Sequence, residues 1–205
     1  MEFPDGDRNL FFSKLPDDGT VAYPMLDFMQ EDWKHVSRPA VVCWIVFYML
    51  FMGYAASNTS GFLFIDNANL VVHEGGHMLF SWFGETLCLW GGTLLQLLVP
   101  SLLAAYFFHE RQATGFAFCL FMLFENLLYV STYMADARAQ VLPLVSIGNT
   151  DEAGHDWFNI FSSVGVLQYD IVIARVTRAI GWIGMCGSVV WLAMRLRGQG
   201  IVTES

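Results

Sequence analysis

The sequence predicts an all-α fold, a polytopic bundle of transmembrane helices with five or six spans and an acidic N-terminal head. Of the 205 residues, 55% are hydrophobic and only 14% are charged, whereas a soluble domain carries roughly 25% charged residues. Several apolar runs also approach the ~20 residues that a helix needs to cross a bilayer. Both observations predict a multi-pass membrane protein whose surroundings are the lipid bilayer.

The N-terminal head covers residues 1–38, in which acidic side chains outnumber lysine and arginine and contribute much of the net charge of −9. We interpret it as an interfacial segment. It lacks the basic start, apolar stretch and small-residue cleavage site of a signal peptide, so we expect no cleavage. Basic clusters are missing from the sequence, which argues against a nucleic-acid partner.

The apolar runs predict four spans in the first two thirds of the chain. The first is Pro39–Ala56, and the second extends from about Phe62 to Phe83. The third extends from about Leu89 to Phe108, and the fourth from about Thr114 to Met134. Short polar stretches separate them, as expected for turns between neighbouring helices.

The C-terminal part is less regular. Residues 135–157 form the longest polar interruption, after which apolar periodicity continues past Asp170 to Arg197. This pattern predicts a short helix near 156–165 and one long or tilted final span. The chain then divides into the head, a membrane domain (39–197) and a tail (198–205). Basic residues flank both ends of the membrane domain, which places both ends in the cytoplasm and favours an even number of crossings.

The stretch NLVVHEGGHMLF (69–80) places ionisable side chains inside the second predicted span. His73, Glu74 and His77 form an H-E-x-x-H motif, and residues four apart share one helix face. Two such histidines can bind one Zn²⁺, while the glutamate acts as general base on a water whose pKa the metal lowers. Because an ionisable group at mid-membrane costs about 2.5 kcal/mol or more, metal binding gives a reason for their presence. The alternative is that the histidines hydrogen-bond other helices and Glu74 belongs to a buried pair.

A catalytic zinc usually has three protein ligands, so the motif needs one more. In EAGHDWFN (152–159), His155 and Asp156 lie where a polar loop meets an apolar helix, and either is a candidate third ligand. Two alternatives remain for Asp156. It could hydrogen-bond a metal ligand and orient it without binding the metal, or it could cap the helix. Asp136 and Arg138 are weaker candidates, and a loop ion pair between them is the favoured interpretation.

Two glycine pairs lie on neighbouring predicted spans. Gly75 and Gly76 are inside the motif, at a cost of about 1 kcal/mol each relative to alanine in a helix. They predict the close approach of another helix or of a substrate strand. Gly91 and Gly92 precede Gln96 by about one turn, which predicts a place where a peptide backbone approaches and Gln96 holds it.

Further polar groups occupy apolar spans. For Gln96 and Glu125 the alternative interpretation is hydrogen bonding between helices. Asp66 lies two turns before His73 on a similar face, which predicts a position along an access path to the site.

The chain resembles the M50-type, site-2-protease-like intramembrane metalloproteases in two stretches. These are HEGGH in one apolar helix and WGGTLLQLLVP on the next. The chain is most similar to their small M50B-like branch of bacterial membrane proteins, to which ADARAQVLPL and HDW also conform. The likeness covers about residues 62–192. It implies a zinc site within a bacterial inner (cytoplasmic) membrane, His73 and His77 as ligands, Glu74 as base, and membrane-protein substrates.

The chain departs from that family in one respect. The site-2 group takes its third ligand from an aspartate in an L-D-G motif, and no L-D-G occurs here. This departure motivates a second interpretation, a non-catalytic membrane subunit that holds partner subunits together, with or without a structural zinc. A third is a transporter or channel whose polar residues line a pathway, although the absence of internal repeats argues against the common transporter folds.

Overall fold

The computed structural model of the protein describes residues 32–142 and 154–198, the last three by their backbone only. Residues 1–31 of the predicted head, the middle of the predicted polar interruption (143–153) and residues 199–205 of the tail lie outside the described residues. Within the described ranges the secondary structure is helical and contains no strand, which confirms the predicted all-α class.

Six α-helices follow one another in these ranges: α1 (Arg38–Ser57), α2 (Asp66–Phe80), α3 (Glu85–His109), α4 (Ala113–Ala135), α5 (Asp156–Ser163) and α6 (Asp170–Gly198). Two short 3₁₀ turns, Ser81–Phe83 and Leu167–Tyr169, precede α3 and α6. Four helices, α1, α3, α4 and α6, are long and apolar enough to cross a membrane. The described residues therefore contain four such helices, where the sequence predicted five or six spans.

The motif helix accounts for much of that difference. It was predicted as a span from about Phe62 to Phe83, but α2 has 15 residues and is about 22 Å long, short of the ~30 Å hydrocarbon core. Asp66 Oδ2 accepts a hydrogen bond from the Leu63 amide at 2.6 Å and holds the turn before the helix. After the helix, Gly84 adopts φ 101° and turns the chain into α3.

The central helix of the bundle is α4, which packs against α3 on one side and α6 on another. α4 and α6 are antiparallel. At one end, Thr177 contacts the sulfur of Met134, and at the other the rings of Phe116 and Trp191 lie 4.9 Å apart. A side chain at Gly184 would overlap the ring of Phe124, so a glycine at this position permits close packing.

Contacts between turns define the two ends of the bundle. At the first end, the Lys34 amide donates to the Arg111 carbonyl at 2.9 Å, so the start of α1 lies beside the turn between α3 and α4. At the second end, Thr132 Oγ1 donates to the Gly61 carbonyl at 3.1 Å, so the end of α1 lies beside the end of α4. With α6 antiparallel to α4, residues 34–37 and the C-terminal end of α6 both lie at the first end.

The outer surface of the bundle is apolar. Exposed fractions reach 71% for Leu50 in α1, 72% for Ile183 in α6 and 89% for Trp82 after α2. Soluble proteins rarely expose contiguous apolar surface on this scale. A lipid bilayer is the environment that covers such a surface, in agreement with the four apolar helices.

Candidate metal centre

Helix α2 is positioned by backbone-to-backbone packing on α3. A Cβ atom at Gly76 would overlap the carbonyl of Gly91, and one at Gly91 would lie 2.7 Å from the Gly76 carbonyl oxygen. A Cβ atom at Gly92 would lie only 2.5 Å from Nε2 of the His73 ring. These glycines therefore bring α2 and α3 together, whereas the sequence had predicted room for a peptide backbone at Gly91 and Gly92. Gly75 is different, because its Cβ would meet only a Leu95 methyl at 3.9 Å.

His73, His77 and Asp156 converge on one point. His73 Nε2 lies 3.0 Å from Asp156 Oδ2, and His77 Nε2 lies 3.1 Å from the same oxygen. The three ligand atoms are within 4.8 Å of one another. Metal–ligand bonds of ~2.0–2.1 Å place the ligands of a tetrahedral zinc about 3.3 Å apart. The two distances from the histidine nitrogens to Asp156 Oδ2 are close to that value, so the donor atoms and their positions are compatible with a zinc ion.

The orientation of the His73 ring follows from a chain of amide hydrogen bonds. Asn126 Nδ2 donates to the backbone carbonyl of Met122 at 2.9 Å, so Asn126 Oδ1 is left to accept from Gln96 Nε2 at 2.8 Å. Gln96 Oε1 in turn accepts from His73 Nδ1 at 3.2 Å. Because this chain ends on a backbone carbonyl, its direction is defined, and the proton of a neutral His73 lies on Nδ1.

His77 is oriented by the backbone of α3. Its Nδ1 lies 2.7 Å from the Cys88 carbonyl oxygen and donates to it. Both histidines thus have Nδ1–H bonds directed at oxygens and Nε2 atoms directed at Asp156, the arrangement usual for metal-bound histidines. Two nitrogen lone pairs and a carboxylate oxygen at these distances repel one another unless positive charge lies between them. A metal ion, or a proton on each imidazole, meets that need.

Helix α5 brings Asp156 to the site. Its Trp157, Ile160 and Phe161 side chains are buried against α4, and the Trp157 ring lies 5.8 Å from that of Trp90 on α3. The Asp156 amide donates to the Tyr133 hydroxyl at 3.2 Å. Burial alone would raise the pKa of the Asp156 carboxyl, but the two motif histidines, when each also carries a proton on Nε2, donate hydrogen bonds to it and hold its pKa below the ordinary value.

His155, the other candidate third ligand, is directed elsewhere. It is the N-cap of α5, and its Nδ1 accepts a hydrogen bond from the Phe158 amide at 3.3 Å. Its Nε2 faces Asp136 Oδ2 at 3.4 Å, and burial lowers the pKa of the imidazole. The histidine therefore caps the helix, the role that the sequence had left open for Asp156, while Asp156 faces the motif.

The predicted ion pair between Asp136 and Arg138 is wrong. Asp136 accepts hydrogen bonds from the amides of Val141 and Leu142, at 2.9 and 3.0 Å, and so holds the turn after α4. Arg138 instead forms a bidentate pair with Asp170 at the start of α6, at 2.7 and 2.9 Å. Neither residue contributes an atom to the candidate metal set.

Glu74 faces a cavity of about 220 Å³ next to the histidines. The cavity is lined by polar groups and by apolar side chains: Asp66, Asn67, His73, Glu74, Tyr129 and Tyr133 among the first, and Phe62, Leu63, Leu70 and Leu142 among the second. Among the described residues Glu74 has no hydrogen-bond or ion-pair partner. Its carboxylate is therefore available to a water molecule in the cavity.

A second buried polar group adjoins this cavity. Asn69 Nδ2 donates to Asp66 Oδ1 at 3.1 Å and to Glu125 Oε2 at 3.2 Å. Glu125 thus accepts a hydrogen bond from another helix, in agreement with the alternative interpretation of this residue. Sequence reasoning did not single out Asn69, although its place four residues before His73 on the same face was an available signal. The hydrogen bond from the Asp156 amide to the Tyr133 hydroxyl had no signal in the sequence.

Comparison with protein-family models, with curated proteins and with solved structures finds no match to this chain. The functional case therefore depends on the motif and on the geometry of His73, His77 and Asp156.

Proposed function

We propose that the protein is an integral-membrane zinc metallopeptidase that cleaves peptide bonds within or near the membrane. The observation that carries the proposal is the convergence of His73, His77 and Asp156 on one point beside Glu74. These three side chains would hold the metal. When bound, zinc supplies a Lewis acid for the substrate carbonyl and lowers the pKa of a water.

The residues of the chain have separate roles in this proposal. Glu74 takes a proton from the attacking water and returns it to the amine of the departing peptide. Gln96 and the Cys88 carbonyl hold the two histidine rings with Nε2 toward the metal. The apolar part of the cavity wall suits the hydrophobic side chains of a membrane-embedded substrate.

The runner-up function is a non-catalytic subunit or scaffold with a structural zinc. It was motivated by the missing L-D-G motif. Asp156 supplies, from α5, the carboxylate that the L-D-G aspartate supplies in the site-2 group. Glu74 has an unpaired carboxylate, which a structural site does not need. We therefore favour the enzyme, placed in a bacterial inner membrane as the family resemblance implies, with four crossings and both described ends at the cytoplasmic face.

The Glu74→Gln variant tests the catalytic part. We expect it to retain zinc and to lose on the order of 10²–10⁴-fold in cleavage rate, the usual contribution of a general base. Membranes from cells that produce wild type or variant are compared by mass spectrometry for new peptide ends in transmembrane segments, and zinc is measured in the purified proteins. Glu85→Gln, at an exposed position at the start of α3, is the matched control. Equal cleavage by wild type and Glu74→Gln would rule out the enzyme, and zinc retention without any cleavage in wild type would favour the scaffold.

Zinc content tests the ligand set. We expect Asp156→Asn and His77→Ala to lose most of the bound zinc, because each removes a ligand atom. His155→Gln should retain more zinc than either, since it removes only a helix cap. Metal analysis of the purified proteins measures the three together. If His155→Gln lost as much zinc as His77→Ala while Asp156→Asn kept it, the assignment of Asp156 would be wrong.

A further inference from the structure

A second polar cleft lies at the second end of the bundle, between α4, α6 and the turn that follows α1. It encloses about 360 Å³ and is open on one side. Its polar lining consists of Asn58, Thr59, Ser131, Thr132, Arg175 and Arg178. None of the residues that line it also lines the metal cavity, so the two are separate sites.

Two arginines give this cleft a positive charge. Arg175 and Arg178 are three residues apart on α6 and share a face. Arg178 makes one long contact, 3.5 Å from its Nη1 to Thr132 Oγ1. In the part of the chain that the structure describes, neither forms an ion pair with a carboxylate.

Two carboxylates in this part of the bundle, those of Asp170 and Asp66, are engaged with other groups. Asp170 is paired with Arg138 in two short hydrogen bonds. Asp66 shares a small void with Arg178, but it accepts hydrogen bonds from the Leu63 amide and from Asn69. Neither carboxylate forms an ion pair with Arg175 or Arg178 among the described residues.

The position of the arginines along α6 corresponds to a headgroup layer. Segment 179–194 has no charged residue and is about 24 Å long at 1.5 Å per residue, which is most of a ~30 Å hydrocarbon core. Arg195 closes this segment at the first end, with its guanidinium 4.9 Å from the Trp191 ring, and Arg178 closes it at the second end. Arg175 lies one turn farther out, where lipid phosphates are found.

We propose that this arginine cleft binds the phosphate of an anionic lipid headgroup. A guanidinium donates two parallel hydrogen bonds to phosphate oxygens, which makes arginine well suited to this ligand. Basic pockets between membrane helices are a known form of lipid headgroup site. Val172 and Val176, beside Arg175 on α6, are 58% and 54% exposed and offer an apolar surface for the acyl chains.

Thermal unfolding of the full chain in dodecyl maltoside tests the proposal. Phosphatidylglycerol, phosphatidylcholine or inorganic phosphate is added to wild type, Arg175→Gln, Arg178→Gln and Arg195→Gln. We expect phosphatidylglycerol to raise the midpoint of wild type by several degrees, and phosphatidylcholine to raise it less because its choline cancels the charge. Arg195→Gln, which changes the same charge on the same helix away from the cleft, should keep the shift. In the two cleft variants the shift should fall by at least half.

The remaining outcomes are also decisive. An equal shift in wild type and both cleft variants would overturn the site. An equal shift with inorganic phosphate would assign the cleft to a free phosphate and overturn the lipid as its source. If Arg178→Gln failed to fold, Arg175→Gln would still decide, since Arg175 is exposed and has no described partner. Native mass spectrometry of retained phosphatidylglycerol gives a second readout, and we expect fewer adducts on the cleft variants than on Arg195→Gln.

Discussion

The orientation of a single imidazole, His73, depends on three residues that do not touch the proposed metal position. Met122, Asn126 and Gln96 form a hydrogen-bond chain that directs the Nδ1 proton of His73 away from Asp156. Gln96 was predicted either to hold a substrate peptide or to bond another helix. Both ends of its amide are engaged within the bundle, in agreement with the second interpretation.

Gln96→Leu should weaken zinc binding by about 10–100-fold, the usual cost of losing a group that orients a metal ligand. The variant removes the acceptor for His73 Nδ1–H, and it also leaves the Asn126 oxygen without its donor. Competition with a chelator measures the affinity. Gln168→Leu is the control, because Gln168 is exposed and donates only to the Gly165 carbonyl, at 3.4 Å. An unchanged zinc affinity in Gln96→Leu would show that the chain does not orient His73.

At the scale of elements, the contact between α2 and α3 determines where the motif lies. Gly76 and Gly91 meet through their backbones, and this approach places the His77 ring on the Cys88 carbonyl. In a bilayer, such close packing of small residues supplies van der Waals contact that larger side chains would prevent. The motif glycines are therefore not equivalent, although the sequence HEGGH shows no difference between them.

Gly76→Ala should destabilise the protein and reduce its zinc content, whereas Gly75→Ala should not. Both substitutions gain about 1 kcal/mol of helix propensity, so the difference between them isolates the contact. At position 76 the added methyl overlaps the α3 backbone, and overpacking of this kind typically costs about 1–3 kcal/mol. At position 75 it meets only a leucine methyl at 3.9 Å. Thermal unfolding and metal analysis of the two variants check the prediction, and equal behaviour would contradict it.

At the scale of the whole molecule, the described part of the membrane domain consists of four long helices and two shorter ones, α2 and α5. α2 starts and ends near the second end, because Asp66 lines a small void together with Asn58 and Gly61 of the turn after α1, and Ser81–Phe83 precedes the start of α3. The chain therefore leaves the second end at the start of α2 and is back at that end where α3 begins, so α2 adds no crossing. The basic residues at the first end include Lys34, Arg38 and Arg111, which favours a cytoplasmic location for that end.

Labelling of single cysteines tests this arrangement. In a chain whose four native cysteines are replaced by alanine, Ser37→Cys and Gln112→Cys should react with an impermeant maleimide from the cytoplasmic face. Ser60→Cys and Gln140→Cys should react from the opposite face. Right-side-out and inside-out vesicles measure the two cases. Reaction of positions 37 and 60 from the same face would exclude the four-crossing topology.

The sequence alone determined what depends on local pattern. Long apolar runs predict membrane helices because the bilayer has a fixed thickness, and residues four apart share a helix face, which identified His73, Glu74 and His77. The exact first and last residues of the helices were harder to predict from the sequence. The shortening of α2 depends on one side-chain hydrogen bond, from the Leu63 amide to Asp66, and on the backbone of Gly84.

Only the tertiary structure decided how the site is completed. His155 and Asp156 are adjacent in sequence, but His155 is the N-cap with an extended backbone and Asp156 is the first residue of α5, so their side chains leave the chain in different directions. Which of them faces the motif depends on how α5 packs its apolar face against α4, a contact between segments far apart in the chain. The same holds for the Cys88 carbonyl, which as a backbone group has no sequence signal. Local periodicity determines which residues share a helix face, but the packing of helices determines which faces meet.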